Sequence, residues 1–269
     1  MDNRAIGIFD SGIGGLTSLK TLRALLPEEN FIFFADTGRM PYGGRSAEAL
    51  RRIAVQDMDL LAARGVKGLL SACGTISSAA EAELAAYPVP AFGVLHPALR
   101  AMAAAEGEGA LCVLATGASI RSGQFTEPLK ALCPGREIVG LACPEFAPMI
   151  EAGHIDPADP VLLDAVACAL APIRGRKLAA LLLGCTHYGV IAESIRAFLG
   201  GDFPLLSAAD CGALAVRDWL RDKALLGTGG NTEFLISCAP EAFDAFASRY
   251  LEMGPVHARR VPVMELNET

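Results

Sequence analysis

The feature that most constrains this chain is its regular alternation of short apolar runs with segments of helical period. Residues 5–9, 31–35 and the run ending at Ala72 read as strands. Further strands fall near 91–94, 110–115, 136–142, 178–183, 203–206, 232–237 and 256–262. Between them the apolar spacing turns helical. Leu16, Leu19, Leu22 and Leu26 share one face, closed by Pro27. After Ser46, a good N-cap, another face runs through Leu50, Ile53, Ala54, Met58 and Leu61. Strand–helix alternation with short connections predicts α/β architecture with parallel sheets covered on both faces.

One element occurs twice. Leu181-Leu182-Leu183-Gly184-Cys185-Thr186-His187 is an apolar run that ends in a thiol, a hydroxyl and an imidazole before a helical pattern. Gly68-Leu69-Leu70-Ser71-Ala72-Cys73-Gly74-Thr75 has the same form about 110 residues earlier. The echo predicts two similar doubly wound parallel-sheet domains facing across a cleft, each placing a Cys where such sheets place their chemistry, at a strand's carboxyl end. Cys112 and Cys168 lie inside apolar patterns and read as small core residues.

Bulk composition removes several function classes. With 52% hydrophobic and 20% charged residues in 269, the chain is an ordered globular protein. A net charge of −7 without a basic run argues against nucleic-acid binding. No apolar run nears the roughly 20 residues a membrane span needs, and no signal-peptide core follows Met1. Eight cysteines without a C-x-x-C pair fit reduced thiols, so a soluble cytoplasmic protein is expected.

Rival chemistries remain open at this stage. Gly12-Ile13-Gly14-Gly15 after a strand, with Asp36 at the next strand's end, imitates a dinucleotide fingerprint. It lacks the third glycine, and Asp10 would face the pyrophosphate. Asp10 and Ser11 are alternatively a polar pair in the cleft beside amides that bind a small anion, or a plain structural turn. Cys185, His187 and Cys73 could supply zinc ligands, but the local ligand density of a zinc site is missing, so no metal is expected. A Cys-His-Asp nucleophile would leave the second Cys unexplained. Two opposed thiols suit inversion at an acidic C–H. One thiolate removes the proton and the opposite thiol returns one to the other face, both states being accessible because a Cys pKa is tunable toward neutrality.

Four motifs in order carry a family resemblance. They are Ile6-Gly7-Ile8-Phe9-Asp10-Ser11-Gly12-Ile13-Gly14-Gly15, Asp36-Thr37 through Pro41-Tyr42-Gly43, Cys73-x-Thr75, and Leu183-Gly184-Cys185-Thr186-His187-Tyr188. Weaker matches lie at Thr116–Ser122 and Ala142–Pro148. The chain resembles the glutamate racemases of the aspartate/glutamate racemase superfamily over nearly its whole length to about residue 220. The resemblance implies a cofactor-independent racemase acting on L- and D-glutamate, supplying D-glutamate for peptidoglycan, commonly as a homodimer. It implies a discontinuous first domain (1–92 plus 208–269) and a second of 93–207. By the same likeness Cys73 would act on the D-enantiomer and Cys185 on the L-enantiomer. Asp10, Ser11, Pro41, Tyr42, Gly43, Gly74, Thr75, Thr116, Ser119, Thr186 and His187 would line the substrate, and Glu151 would support His187.

The chain departs from the family pattern at Gly74, usually Asn, and at Gly189, usually Pro; Ser119 stands where Thr is more frequent. Loss of the Asn amide beside Cys73 removes a hydrogen bond worth about 1.5–3 kcal/mol when it serves a charged group. A superfamily relative acting on aspartate or a hydantoin-like ring, and a non-catalytic binder, are the alternatives.

Overall fold

The computed structural model describes residues 1–264. It contains two compact units, one of Met1–Val94 with Gly212–Thr269 and one of Leu95–Cys211. The first opens with β1 (Ile6–Asp10), α1 (Leu16–Leu25), β2 (Phe31–Ala35), α2 (Ala47–Ala62) and β3 (Gly68–Ser71). It continues through α3 (Gly74–Ala79), α4 (Glu81–Ala86) and β4 (Ala91–Gly93). The second unit holds α5 (Leu95–Ala103), β5 (Ala110–Ala115), α6 (Gly117–Ser122), α7 (Thr126–Leu132) and β6 (Ile138–Ala142). There follow α8 (Phe146–Glu151), α9 (Pro160–Leu170), β7 (Leu178–Leu183), α10 (Ala192–Leu199) and β8 (Leu205–Ser207). The chain then runs through α11 (Ala208–Asp222) back to the first unit, with β9 (Thr232–Ile236), α12 (Glu241–Tyr250) and β10 (Arg259–Arg260).

Both sheets pair in parallel throughout. The first has the order β10-β9-β2-β1-β3-β4 and the second β6-β5-β7-β8. In the first, the chain leaves β1 for β2 on one side and later crosses to β3 on the other. In the second, β5 stands in the same relation to β6 and β7. Each sheet therefore has a topological switch point, β1/β3 and β5/β7, where the loops beyond the strand ends part and leave room for a ligand.

The central strands carry apolar residues on both faces because helices cover both. Every residue of β1, β2, β5 and β7 is buried. Phe33 packs against Phe234 and Phe243 with ring centroids 6.3 and 6.0 Å away, so the returning C-terminal segment is part of the first unit's core. Gly68 admits Trp219 of α11: a Cβ there would lie 2.8 Å from the indole, which in turn packs on Phe92 at 5.3 Å. At the amino-terminal edge of β3, Lys67 is fully buried and donates to Glu29 at 2.9 Å and to the carbonyls of Asp2 and Leu225. The second carboxylate oxygen of Glu29 accepts from Gly227 N–H. Ser46 caps α2 by accepting from Ala49 N–H at 3.1 Å.

Two local expectations need correction. Cys168 is exposed, not in the core. α9 buries Leu162, Val166 and Leu170, four residues apart, and Cys168 falls on the opposite face. The last strand is only Arg259–Arg260, because Pro255 and Pro262 flank it and cannot donate to a ladder. Among the described residues no helix is long and apolar enough to cross a membrane.

Candidate active site

In the first unit, the switch point brings three segments to neighbouring strand ends. β1 ends in Asp10, whose backbone carbonyl accepts from Asp36 N–H at 2.9 Å, so the ends of β1 and β2 stay joined. The Asp10 carboxylate is 1% exposed. It accepts from Gly12 N–H at 3.0 Å and from the Ser11 hydroxyl at 3.4 Å. Gly15 is needed here, since a Cβ would stand 2.5 Å from that of Asp10. The turn is thus closed by Asp10 itself, which favours the polar-pair reading over a pyrophosphate cradle.

β3 delivers Cys73, with Ala72 N–H bound to Phe9 O at 2.9 Å. Cys73 is the N-cap residue of α3, with extended backbone, and Gly74 and Thr75 form the first turn of that helix. The thiol is buried in an apolar cluster that includes Phe9, Ile76 and Tyr42. The loop after β2 runs from Asp36 to Arg45. Its Gly38 N–H is tied to the Ser237 hydroxyl at 2.7 Å, and the Thr37 hydroxyl lies 2.9 Å from Cys238 Sγ. Pro41 and Gly43 are exposed, while Tyr42 between them is 3% exposed and points its hydroxyl at Asp36 Oδ2, 2.5 Å away. Tyr42 therefore offers a ligand its backbone rather than its phenol. Burial first, then the charges of Asp57 and Asp36, hold that phenol well above its usual range, so it stays a donor.

In the second unit, Thr116 follows β5 and Cys185 follows β7. Gly184 N–H binds Leu114 O at 2.8 Å and Cys143 N–H binds Ala115 O at 2.9 Å, so the ends of β5, β6 and β7 stay aligned. Thr116 caps α6 by accepting from Ser119 N–H at 3.2 Å and donates to the Ser119 hydroxyl, which also accepts from Gln124. Cys185 is half-buried at the head of a six-residue 3₁₀ segment, Thr186–Ile191, that precedes α10. Runs of this length are uncommon. This one turns Tyr188 inward, where it donates to Cys143 O at 2.7 Å and packs on Phe146 at 5.2 Å.

Cys185 also begins a polar chain. Its Sγ lies 3.7 Å from Nδ1 of His187, whose Nε2 lies 2.7 Å from Glu151 Oε1. Burial of the imidazole works against its charged form. Cys185 and Glu151 outweigh that and hold His187 well above the usual histidine range. The positive charge is then retained at neutral pH next to the thiol. Cys143 shows the opposite environment: burial pushes its thiol up to about 12, further raised by Cys112 and Cys185. Cys112 is likewise pushed to about 12. These two are protonated packing residues. Among the described residues no three His, Cys, Asp or Glu side chains are grouped to hold a metal ion.

The candidate residues thus fall into two sets, each at one switch point. Asp10, Ser11, Pro41, Tyr42, Gly43, Cys73, Gly74 and Thr75 belong to the first unit; Thr116, Ser119, Cys185, Thr186 and His187 belong to the second. Arg39 and Asp57 are polar neighbours of the first set beyond those inferred from sequence, bound to each other at 2.5 Å under the Tyr42 hydroxyl. Asp57 alone left a sequence signal, since it interrupts the apolar stripe of α2 between Ala54 and Met58.

Comparison with known proteins identifies the family. The sequence model of the family described as Asp/Glu/Hydantoin racemase matches residues 20–216. A glutamate racemase of Thermus thermophilus is 41% identical over 264 residues, 97% of each chain. The crystal structure of a glutamate racemase isoform from Bacillus anthracis superposes with a TM-score of 0.87 at 30% identity, covering 97% of this chain and 98% of that one. A glutamate racemase from Francisella tularensis, solved in complex with D-glutamate, gives a TM-score of 0.85 at 30% identity with the same coverage. The chain belongs to the Asp/Glu/Hydantoin racemase family and is an amino-acid racemase.

Proposed function

We propose that the protein interconverts L- and D-glutamate without a cofactor, with Cys73 and Cys185 as the two acid-base groups. The observation that carries this is the duplication: each sheet ends the second strand of its switch point in a thiol at the head of a helical turn. The glutamate specificity rests on the relatives, which are glutamate racemases at 31–41% identity over most of the chain.

The chemistry requires one thiolate and one thiol at any instant. From L-glutamate, the Cys185 thiolate takes the Cα proton and the Cys73 thiol gives its own to the opposite face. The enzyme is left with Cys185 protonated and Cys73 ionised, the form that accepts D-glutamate. The His187 imidazolium, held by Glu151, stabilises negative charge on Cys185. Thr75, Thr186 and the amides at the two helix starts are the donors for the substrate carboxylates, and Asp10 is the acceptor for its ammonium group. His187 supplies the cation that a carboxylate substrate and a developing carbanion both need.

The physiological role in this reading is the supply of D-glutamate for peptidoglycan in the cytoplasm. All eight cysteines are free thiols, as a reducing compartment would keep them. Circular dichroism of L- and D-glutamate solutions, with chelator present and no added cofactor, tests the function. Both should decay to zero ellipticity. Unchanged glutamate alongside racemised aspartate or hydantoin would reassign the substrate.

A further inference from the structure

Behind the exposed residues Pro41 and Gly43 lies a buried polar cluster centred on Arg39, itself 6% exposed. Its guanidinium reaches three acceptors: Asp36 Oδ2 at 2.6 Å, Asp57 Oδ1 at 2.5 Å, and Gln56 Oε1. The Tyr42 hydroxyl donates to the same Asp36 oxygen at 2.5 Å and faces Asp57 Oδ2 at 3.4 Å. The other oxygen of Asp36 is buried and accepts no hydrogen bond among the described residues, so Arg39 and Tyr42 are what satisfy this carboxyl. The Arg39 carbonyl in turn accepts from Nε and Nη2 of Arg45, at 3.2 and 2.9 Å, which fastens the far end of the loop. Tyr42 shares its apolar cluster with Cys73, and the negative charge of a Cys73 thiolate is among the influences that keep the phenol protonated.

We propose that Arg39 is a positioning residue for the Cys73 half of the site: by clamping Asp36 and Asp57 it fixes the Tyr42 hydroxyl, and through it the Pro41 to Gly43 segment whose Tyr42 shares a cluster with Cys73. The loop is pinned at its middle residue by one phenol, and both carboxylates that this phenol meets are held by the Arg39 guanidinium. The inference rests on the two-base racemase reading and adds to it a determinant that touches no substrate atom. Burial first, then the charge of Asp36, pushes the Asp57 carboxyl well above the usual carboxylate range, against the pull of Arg39. An Asn at position 57 has the same shape as Asp and keeps one oxygen acceptor for the Arg39 guanidinium.

The test uses the full chain and the variants Arg39→Met, Asp57→Asn and Tyr42→Phe. The readouts are kcat/KM for both enantiomers and the isotope effect of Cα-deuterated substrate in each direction. Because the equilibrium constant is fixed, kcat/KM must fall equally in both directions. Only the isotope effect reports which thiol was disturbed. Arg39→Met should lower kcat/KM about 100-fold, the scale of a misplaced binding loop. Its isotope effect should rise in the direction in which Cys73 takes the proton, and fall in the reverse. Asp57→Asn should stay within about threefold of wild type, since it keeps the acceptor for Arg39. Should Arg39→Met not fold, Tyr42→Phe, which lacks only the hydroxyl, is expected to show the same directional change at smaller size. An active wild type whose folded Arg39→Met and Tyr42→Phe variants show isotope effects unchanged in both directions would overturn the inference alone. A wild type inert toward both enantiomers would overturn the function and this inference with it.

Discussion

The two thiols occupy equivalent places in equivalent sheets, yet their surroundings differ in kind. Cys185 is half-buried, with a charged imidazole 3.7 Å away and a carboxylate one step behind. Cys73 is buried and shares an apolar cluster with Phe9, Ile76 and Tyr42, whose hydroxyl meets Asp36. A symmetric reaction does not need symmetric walls. The proposed reaction needs two groups that can each hold or release one proton, and differently built surroundings can each supply one.

The largest effect that separates the halves is loss of either thiol. Cys73→Ala and Cys185→Ala should each reduce racemisation by about 10³-fold or more, as expected for removing a proton-transfer group. Stopped assays with both enantiomers measure this, and a variant of near wild-type rate would remove its thiol from the mechanism. Next in size is a stability effect confined to the first unit. Lys67→Met leaves Glu29 buried without its cation and should cost about 3–5 kcal/mol in denaturant unfolding, with little change in kcat of the folded fraction. Equal loss of kcat would show that this edge communicates with Cys73.

A third change addresses the ionic side of the comparison. Glu151→Gln removes one of the two groups that raise the His187 pKa and should reduce kcat/KM about 10–100-fold. The pH dependence has a definite sign. A folded pKa raised above the unfolded value of about 6.5 gives stability fully present below pH 6.5. That stability is lost as pH rises through the folded value. Wild-type stability should therefore decline on the alkaline side of pH 6.5, and Glu151→Gln should move that decline to lower pH. A pH-unfolding series that superposes for the two proteins would deny His187 its ionic partner. The smallest expected effect is at Ser46, where Ala should cost about 1 kcal/mol through the lost cap of α2.

Much of this was legible in the sequence, for a physical reason. Buried parallel strands are apolar on both faces, so β1, β2, β5 and β7 stand out as runs, and a Cys beside Gly and Thr at the end of such a run is out of place as packing. Glu151 was visible as the end of a helix, and its 2.7 Å contact with His187 bears out that pairing. Cys168 was misread because local hydrophobicity does not say which side of an apolar helix meets the core. The Arg39 cluster escaped because its members come from a loop and from α2, and only the fold brings them together. Six residues of 3₁₀ helix after Cys185 also lay beyond the periodicity signal, which does not separate 3.0 from 3.6 residues per turn over so short a span.

The most direct test of two opposed bases is turnover in deuterated water, with the isotopic content of substrate and product followed by mass spectrometry. Separate thiols on the two faces of Cα should place solvent deuterium in the product enantiomer from the first turnovers, while recovered substrate stays protiated, and this should hold starting from either L- or D-glutamate. Product that retains the original Cα hydrogen would mean that one group carries the proton from face to face, and would contradict the two-base account.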